Sequence, residues 1–542
     1  MMLPLSAPLS SRNSFWLLLA AWAVLVVTAL FTRPLLPVDE TRYVGVAWEM
    51  WMRGDFLVPF KNGAPYSDKP PLLFWLMQAG WWLFGVNEIW PRLVAPLIGL
   101  GCLGLTALFA RRVWPERPTA MLLAPWLLFG GLFVAGFVTL TQFDLLIVFC
   151  TLLGMLGLLR AATGLGSGWL IVGLAIGLGL LSKGPVILVH ILPTALLGPL
   201  WVDRARLKGW VCWYGGTVAA LLLGAAIALA WALPAAQAGG EAYRNAIFWG
   251  QTAERVVDSF AHKAPFWWYL PWLPVLLLPW SLWPPLWRAV RRMELKRSVR
   301  FLLCWAVPVL AILSAISGKQ QKYLLPLFPA LALLGAYALA GLEGAWQSEW
   351  RARRQWLAAL VLALPAGVFA LASFQELSAR VPWAGGLEPL WALPFLLAAL
   401  LWWLWRPATL IAAVQALALA GVATIIGVHL SVLRVAAPAY DLHAMSARIA
   451  ALQAAGHKVA HVGKYHGQFH FLGRLKRPLK EISPIRKRVL AWARKHPDDY
   501  LVLYYDQWPW PLSRTQAEYT QDYRGDPDDL ALWSAKKFLA AQ

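Results

Sequence analysis

Apolar residues run through this chain in blocks rather than in strict alternation. Blocks of about 18 to 23 residues, long enough to cross a hydrocarbon core, recur near 15–36, 89–110, 119–138, 144–160, 168–182, 185–201, 211–234, 266–287, 299–317, 322–341, 355–374, 388–405 and 408–431. That makes about thirteen spans. Short polar turns separate most of them, with two longer polar stretches at 37–88 and 235–265. After about Ala437 the blocks stop. The remaining residues hold strand-like runs at 458–462 and 500–505 and a helix-like run at 485–495. The pattern predicts a polytopic α-helical membrane domain over residues 1–436 and a small soluble α/β domain over 437–542.

Composition agrees with the pattern. Of 542 residues, 59% are hydrophobic and 14% charged, against roughly 25% charged in a soluble chain. The mean hydropathy is +0.56. Many of the tryptophans, among them Trp81, Trp82, Trp267, Trp268, Trp402 and Trp403, stand at the ends of apolar runs, where amphipathic rings favour the headgroup zone. The first run comes after Arg12 and lacks a small-x-small cleavage site, so it reads as a retained signal anchor. The four cysteines show no CxxC spacing, which suggests neither a disulfide framework nor a zinc cluster.

A net charge of +21 raises nucleic acid as a ligand, but the cations lie between spans rather than on one soluble face. No nucleic-acid partner is expected. With the N-terminus in the cytoplasm, Arg111, Arg112 and Arg117, then Arg160, then Arg204, Arg206 and Lys208, then the cluster from Arg288 to Arg300, Arg351 to Arg354, and Arg406 all fall on one side. That is the positive-inside pattern. The other side receives 37–88, 139–144, 182–185, 235–265, 318–322 and the C-terminal domain.

Candidate chemistry collects on that outer side. The first loop begins Asp39-Glu40-Thr41-Arg42-Tyr43 and continues to Tyr66-Ser67-Asp68-Lys69. Asp144 stands at the mouth of a span, Lys183 at a narrow turn, and Lys319, Lys322 and Tyr323 at another. Carboxylates at a membrane edge are costly unless paired or functional, although Asp39 and Asp144 are also suited to capping helices. A single lysine there reads most simply as a snorkelling anchor. Several on one side, opposite most other cations, suggest an external cavity for phosphorylated or otherwise anionic substrates. Residues 242–260 suit an amphipathic surface helix. In the last domain His466 and His470, four apart, suit one helix face.

These motifs resemble those of the GT-C glycosyltransferases of the protein O-mannosyltransferase-like superfamily, and within it the bacterial aminoarabinose transferases that modify lipid A. The resemblance rests on Asp39 to Tyr43, Tyr66 to Pro70, Phe143-Asp144, Leu181 to Gly184, His262 to Pro271 and Lys322 to Pro326. It implies a GT-C fold and an inverting transfer of a sugar, most simply 4-amino-4-deoxy-L-arabinose, from undecaprenyl phosphate to lipid A or another glycolipid. It further implies a monomeric inner-membrane enzyme, active on the periplasmic face, with a role in polymyxin resistance and no nucleotide cofactor. Asp39 and Asp144 are then the catalytic carboxylates. Arg42, Tyr43, Tyr66, Lys69, Lys183, Lys322 and Tyr323 become the substrate and phosphate ligands. Asp68 and His262 match a zinc site of that branch, with Asp where Glu is usual. Two other activities fit less well: transfer to a protein hydroxyl, and lipid transport. The ionisable residues sit at the outer edge and no internal repeat is visible, which counts against a transporter.

Overall fold

The computed structural model describes residues 11–250, 263–350, 356–372, 382–524 and 526–542. Its first nine α-helices are α1 (Ser11–Thr32), α2 (Asp39–Arg53), α3 (Leu72–Phe84), α4 (Ile89–Val113), α5 (Pro118–Phe129), α6 (Leu132–Val138), α7 (Asp144–Ala161), α8 (Ser167–Lys183) and α9 (Val186–Leu196). Further apolar helices lie at Trp210–Ala238, Arg297–Ala315, Phe328–Ala340, Trp356–Ala372, Ala392–Leu404 and Leu410–Val428. Helices are the natural outcome here, because lipid offers no partner for an unpaired backbone N–H or C=O. Among the described residues seven helices are long and apolar enough to cross a membrane, or eight if the bent pair α5–α6 counts as one span; five more apolar helices are shorter.

Two expected spans depart from a straight helix, and in both the sequence explains why. The span at 119–138 bends by 70° between α5 and α6, at Gly130-Gly131. A Cβ on Gly130 would lie 2.4 Å from the Ala418 Cα, and one on Gly421 would lie 2.4 Å from the Gly130 carbonyl oxygen. The bend is thus the place where two helices cross in near backbone contact, as small residues allow. The span expected at 266–287 is broken into a helix at Tyr269–Leu276, a 3-10 turn at Trp280–Leu282 and a helix at Pro284–Arg291. Pro271, Pro274, Pro279, Pro284 and Pro285 each remove a donor from the ladder. Of residues 242–260, those up to 250 are helical and the rest lie outside the described residues.

One large apolar cluster joins α4, α5, α7 and α9 to the helices at Arg297–Ala315, Phe328–Ala340 and Leu410–Val428. Leucine and valine side chains stay exposed on other faces, for example Val211, Leu222 and Leu400, as a lipid-facing surface requires.

The long first loop is not a loop. It folds as α2, a two-stranded hairpin of β1 (Phe60–Lys61) and β2 (Ala64–Pro65), and α3. The hairpin turns on Asn62-Gly63, both with positive φ, 54° and 82°, the combination that a two-residue hairpin of right-handed twist demands. The C-terminal domain is a five-stranded sheet of order β4-β3-β5-β7-β6. Its strands are β3 (Val459–Val462), β4 (Lys480–Ile482), β5 (Tyr500–Tyr504), β6 (Tyr519–Tyr523) and β7 (Asp526–Ser534). β3 pairs parallel with β4 and β5, while β7 pairs antiparallel with β5 and β6. Period-two alternation splits β5 between two cores. Leu501 and Leu503 pack with the helices at Arg486–Lys495 and Ala535–Ala540; Val502 and Tyr504 pack with the helix at His443–Ala454. His466 and His470 do not share a helix. They lie in an irregular segment whose turns bring the His470 Nδ1 to the Tyr465 hydroxyl at 2.8 Å.

That segment docks on α2. The Trp48 indole N–H donates to the Leu475 carbonyl at 3.0 Å, Asn62 exchanges two hydrogen bonds with the Leu479 backbone at 2.9 and 2.8 Å, and Trp81 stacks on Phe471 at 5.3 Å. A Cβ on Gly45 would meet the Gly467 carbonyl oxygen at 2.7 Å. Two backbones therefore touch where only glycine fits. Gly45→Val is expected to cost about 1–3 kcal/mol through overpacking, seen as a lower melting temperature and faster limited proteolysis of the C-terminal domain. Unchanged values for both would rule out the close contact.

A second tie has a pH signature. His443 sits with Nδ1 2.6 Å from Asp441 and Nε2 2.9 Å from Glu88, at the foot of α4. Both ring nitrogens face carboxylates, so the imidazolium is the stable form. The hydrogen bonds that His443 donates to Asp441 and then to Glu88 outweigh burial and raise its pKa from 6.5 to about 10. A raised folded pKa means that the stabilisation is fully present below about pH 6.5 and is lost as pH climbs through 10. Wild type is expected to lose more melting temperature between pH 6.5 and 10 than His443→Ala does. Parallel curves for the two would overturn this.

Candidate active site

The site is built on one anchor. At its first turn α2 carries Glu40, whose buried carboxylate faces the buried Arg33 guanidinium. Arg33 Nη2 donates to Glu40 at 3.0 Å and also to the Thr139 carbonyl. Glu40 in turn accepts the backbone N–H of Leu36 at 2.8 Å and of Thr141 at 2.6 Å. Burial alone would raise the Glu40 pKa. The Arg33 charge and these hydrogen bonds outweigh it and hold the carboxyl below its usual value. A residue read only as part of an acidic pair thus pins the start of α2 to the strap before α7.

With the start of α2 fixed, Asp39 and Asp144 stand at the first positions of α2 and α7. The N-cap positions are held by Val38 and Phe143, so the capping role is not that of the two aspartates, although each carboxylate still faces the favourable end of a helix dipole. Their charges are met by side chains. Asp39 accepts from Arg42, and its other oxygen lies 3.8 Å from the Lys322 Nζ. Asp144 accepts from the Lys183 Nζ at 2.6 Å. The Lys322 Nζ also reaches the Gln142 amide oxygen at 3.5 Å, and the Lys183 Nζ sits 5.1 Å from the centre of the Tyr323 ring. The two carboxylates differ in access: 38% of the Asp39 side chain is exposed against 5% for Asp144. Asp39 is the one that a substrate can meet.

Aromatic residues wall this centre. Tyr43 is buried edge-on to Phe143, with ring centroids 4.9 Å apart, and the Arg42 guanidinium lies 5.3 Å from the Tyr43 ring centre. Tyr66 is buried with no partner for its hydroxyl among the described residues, and the Lys61 Nζ is 5.9 Å from the centre of its ring. Burial first, then the charge of Asp39, pushes the Tyr43 phenol up; burial and the charge of Asp68 push up that of Tyr66, against the opposing charge of Arg42 in both cases. Both phenols therefore stay protonated and able to donate. Asp68 is exposed and Lys69 half-buried in the turn before α3, and Asp68 is near enough to bias Lys61. His262 lies outside the described residues. Among the described residues no group of three or more His, Cys, Asp or Glu side chains could hold a metal ion. Asp68, exposed beside a lysine, belongs to no such group, so the expectation of zinc has no structural support among the described residues.

Sequence reading missed three participants. Arg33 was hidden as the last basic residue of a span, Gln142 is a neutral residue in a short strap, and Lys61 belongs to a hairpin whose Asn-Gly turn was the only visible signal.

Residues 68–231 match the family model described as Dolichyl-phosphate-mannose-protein mannosyltransferase. The segment takes in Asp68, Lys69, Asp144 and Lys183; Asp39, Arg42, Lys322 and Tyr323 lie outside it. The crystal structure of ArnT from Cupriavidus metallidurans bound to undecaprenyl phosphate superposes with a TM-score of 0.74, covering 97% of this chain and 98% of that one at 18% identity. The chain carries the ArnT fold. The GT-C architecture expected from the motifs, helical spans followed by a small sheet domain, is borne out by the ArnT structure in both its bound and apo forms. So is the resemblance in sequence. Proteins named undecaprenyl phosphate-alpha-4-amino-4-deoxy-L-arabinose arabinosyl transferase are 34% identical over 325 residues in Erwinia tasmaniensis and 33% over 342 residues in Pseudomonas aeruginosa. These alignments take in 58% and 61% of this chain and 57% and 60% of those relatives. The matched stretch is thus less than two thirds of their own length.

Proposed function

We propose that this protein is a membrane glycosyltransferase moving 4-amino-4-deoxy-L-arabinose from undecaprenyl phosphate to a lipid A phosphate, with inversion, at the periplasmic face of the bacterial inner membrane. The observation that carries this reading is the pairing of a reachable carboxylate, Asp39, with Arg42 and Lys322, beside the buried pair Asp144–Lys183. The names of the relatives and the undecaprenyl phosphate bound by the Cupriavidus metallidurans protein support the choice of donor and sugar. The positive-inside pattern and the packing of the C-terminal domain on α2 support the periplasmic side for both.

In the reaction an acceptor oxygen forms a bond to the anomeric carbon while the bond from that carbon to the donor phosphate breaks, and its electron pair leaves on the phosphate. A lipid phosphate is already ionised near neutral pH, so it needs no base. Asp39 then orients the acceptor's cationic partners and stabilises the developing positive charge on the sugar. Arg42, Lys69, Lys183 and Lys322 meet the phosphates, and Tyr43, Tyr66 and Tyr323 donate hydrogen bonds to them.

The family model covering residues 68–231 favours a second reading, in which the acceptor is a protein hydroxyl and Asp39 takes its proton. Mass spectrometry of lipid A from polymyxin-challenged cells with and without the protein separates the two. An aminopentose added to a lipid A phosphate is expected. Unmodified lipid A together with glycosylated Ser or Thr peptides would establish the second reading.

A further inference from the structure

A cavity lies at the other end of α7 from Asp144. It is a cleft of about 480 Å³ at the far ends of α4 and α7, Arg160 lying about 24 Å along α7 from Asp144 at 1.5 Å per residue. Its floor is aromatic: Trp201 and Phe301 are buried and meet edge to face at 4.5 Å. Its rim carries Arg112, Arg160, Arg206 and Arg297, against one carboxylate, Asp203.

Asp203 does not neutralise that rim. It accepts from Arg297 at 2.5 Å and lies 3.9 Å from Arg206. Among the described residues the Arg160 guanidinium bonds only through its Nε, to the Ser167 hydroxyl at 2.9 Å. Among the described residues no acceptor meets Arg112. The positive-inside rule accounts for the number of arginines on this face. It does not account for four of them converging on a cleft with an aromatic floor. Planar guanidinium groups of this kind suit phosphate oxygens, and Leu165, exposed on the same cleft, offers apolar surface that a soluble anion would not use.

We propose that this cleft binds the phosphodiester headgroup of an anionic phospholipid, with its acyl chains along Leu165 and Val113. Basic pockets between helices hold such headgroups through direct ion pairing and through the local surface potential. The site is separate from the proposed catalytic centre and does not depend on the reading given to it.

The test is native mass spectrometry of the delipidated full-length protein titrated with phosphatidylglycerol or phosphatidylethanolamine. Wild type is expected to hold phosphatidylglycerol at least about tenfold more tightly. Arg112→Gln/Arg160→Gln/Arg206→Gln should lose the preference. Arg204→Gln/Arg291→Gln/Arg406→Gln removes the same charge from the same side but outside the cleft, and should keep it. Melting temperatures of both variants without lipid check that they remain folded. Equal affinity for the two lipids in wild type overturns the proposal, as does equal loss in both triple variants. Displacement of phosphatidylglycerol by millimolar inorganic phosphate would overturn the lipid assignment in favour of a soluble anion.

Discussion

Asp39→Asn is expected to leave the protein inserted and folded while lowering kcat for sugar transfer at least about a thousandfold, the scale of removing a group that acts on transition-state charge. The structure separates the two effects because Asp39 is not what holds α2 in place. Glu40 does that, through Arg33 and the backbone of Leu36 and Thr141. Asp39 is partly exposed and spends its charge on Arg42 and Lys322. An amide there releases both cations, so KM for an anionic lipid should stay level or fall while kcat collapses, the signature of a group needed in the transition state rather than for binding. Full activity in a well-folded Asp39→Asn protein would sink the assignment. The companion change Asp144→Asn should behave differently. It strands the Lys183 ammonium, bonded to Asp144 at 2.6 Å, and so should lower melting temperature as well as rate.

The other large effect is structural. Glu40→Ala leaves the buried Arg33 guanidinium unpaired, and breaking such a pair from one side typically costs about 3–5 kcal/mol. Yield of folded protein and melting temperature should both drop sharply. Arg33→Met/Glu40→Leu, which removes both charges, should recover much of that loss, because the penalty belongs to the stranded charge rather than to the missing attraction. The double variant should still be slow, since Leu36 and Thr141 lose their acceptor and the start of α2 is free to shift relative to α7. A double variant no more stable than Glu40→Ala would show that the network does something other than neutralise Arg33.

Much of the membrane domain was legible because lipid leaves so few choices: a long apolar block becomes a helix. The interruptions were legible too, in the prolines of 266–287 and the paired glycines at 130 and 131, but block length outweighed them. The first loop was opaque for the opposite reason. The sequence of α2 mixes charges with apolar positions at helical spacing, Tyr43, Val46 and Met50, and ends at Gly54 in the left-handed region, which together are a helix signature. A search for spans passes over it. The polar residues of the site were visible one by one, yet their pairing was not. Glu40 and Thr141 lie 101 residues apart, and Lys322 and Asp39 further still. Nothing local links them. In the last domain the helix expected at 485–495 and the strands at 458–462 and 500–505 form nearly where alternation and turn residues place them, because those signals are local. His466 and His470 misled because a spacing of four means a shared face only where a helix exists.

The contact between α2 and the segment around Gly467 also bears on how the molecule is made. Residues that flank Asp39 are finished by partners more than 400 positions later: Trp48 by Leu475, Gly45 by Gly467. During synthesis, α2 must therefore wait with one face bare until every later helix and the final domain have been made. Contacts of such separation form late. A ribosome stalled before residue 460 would leave a chain whose membrane helices are all made, yet whose α2 still lacks its packing partner. Quality control that samples exposed α2 would read that state as unfinished, and release from it would coincide with the arrival of the last domain.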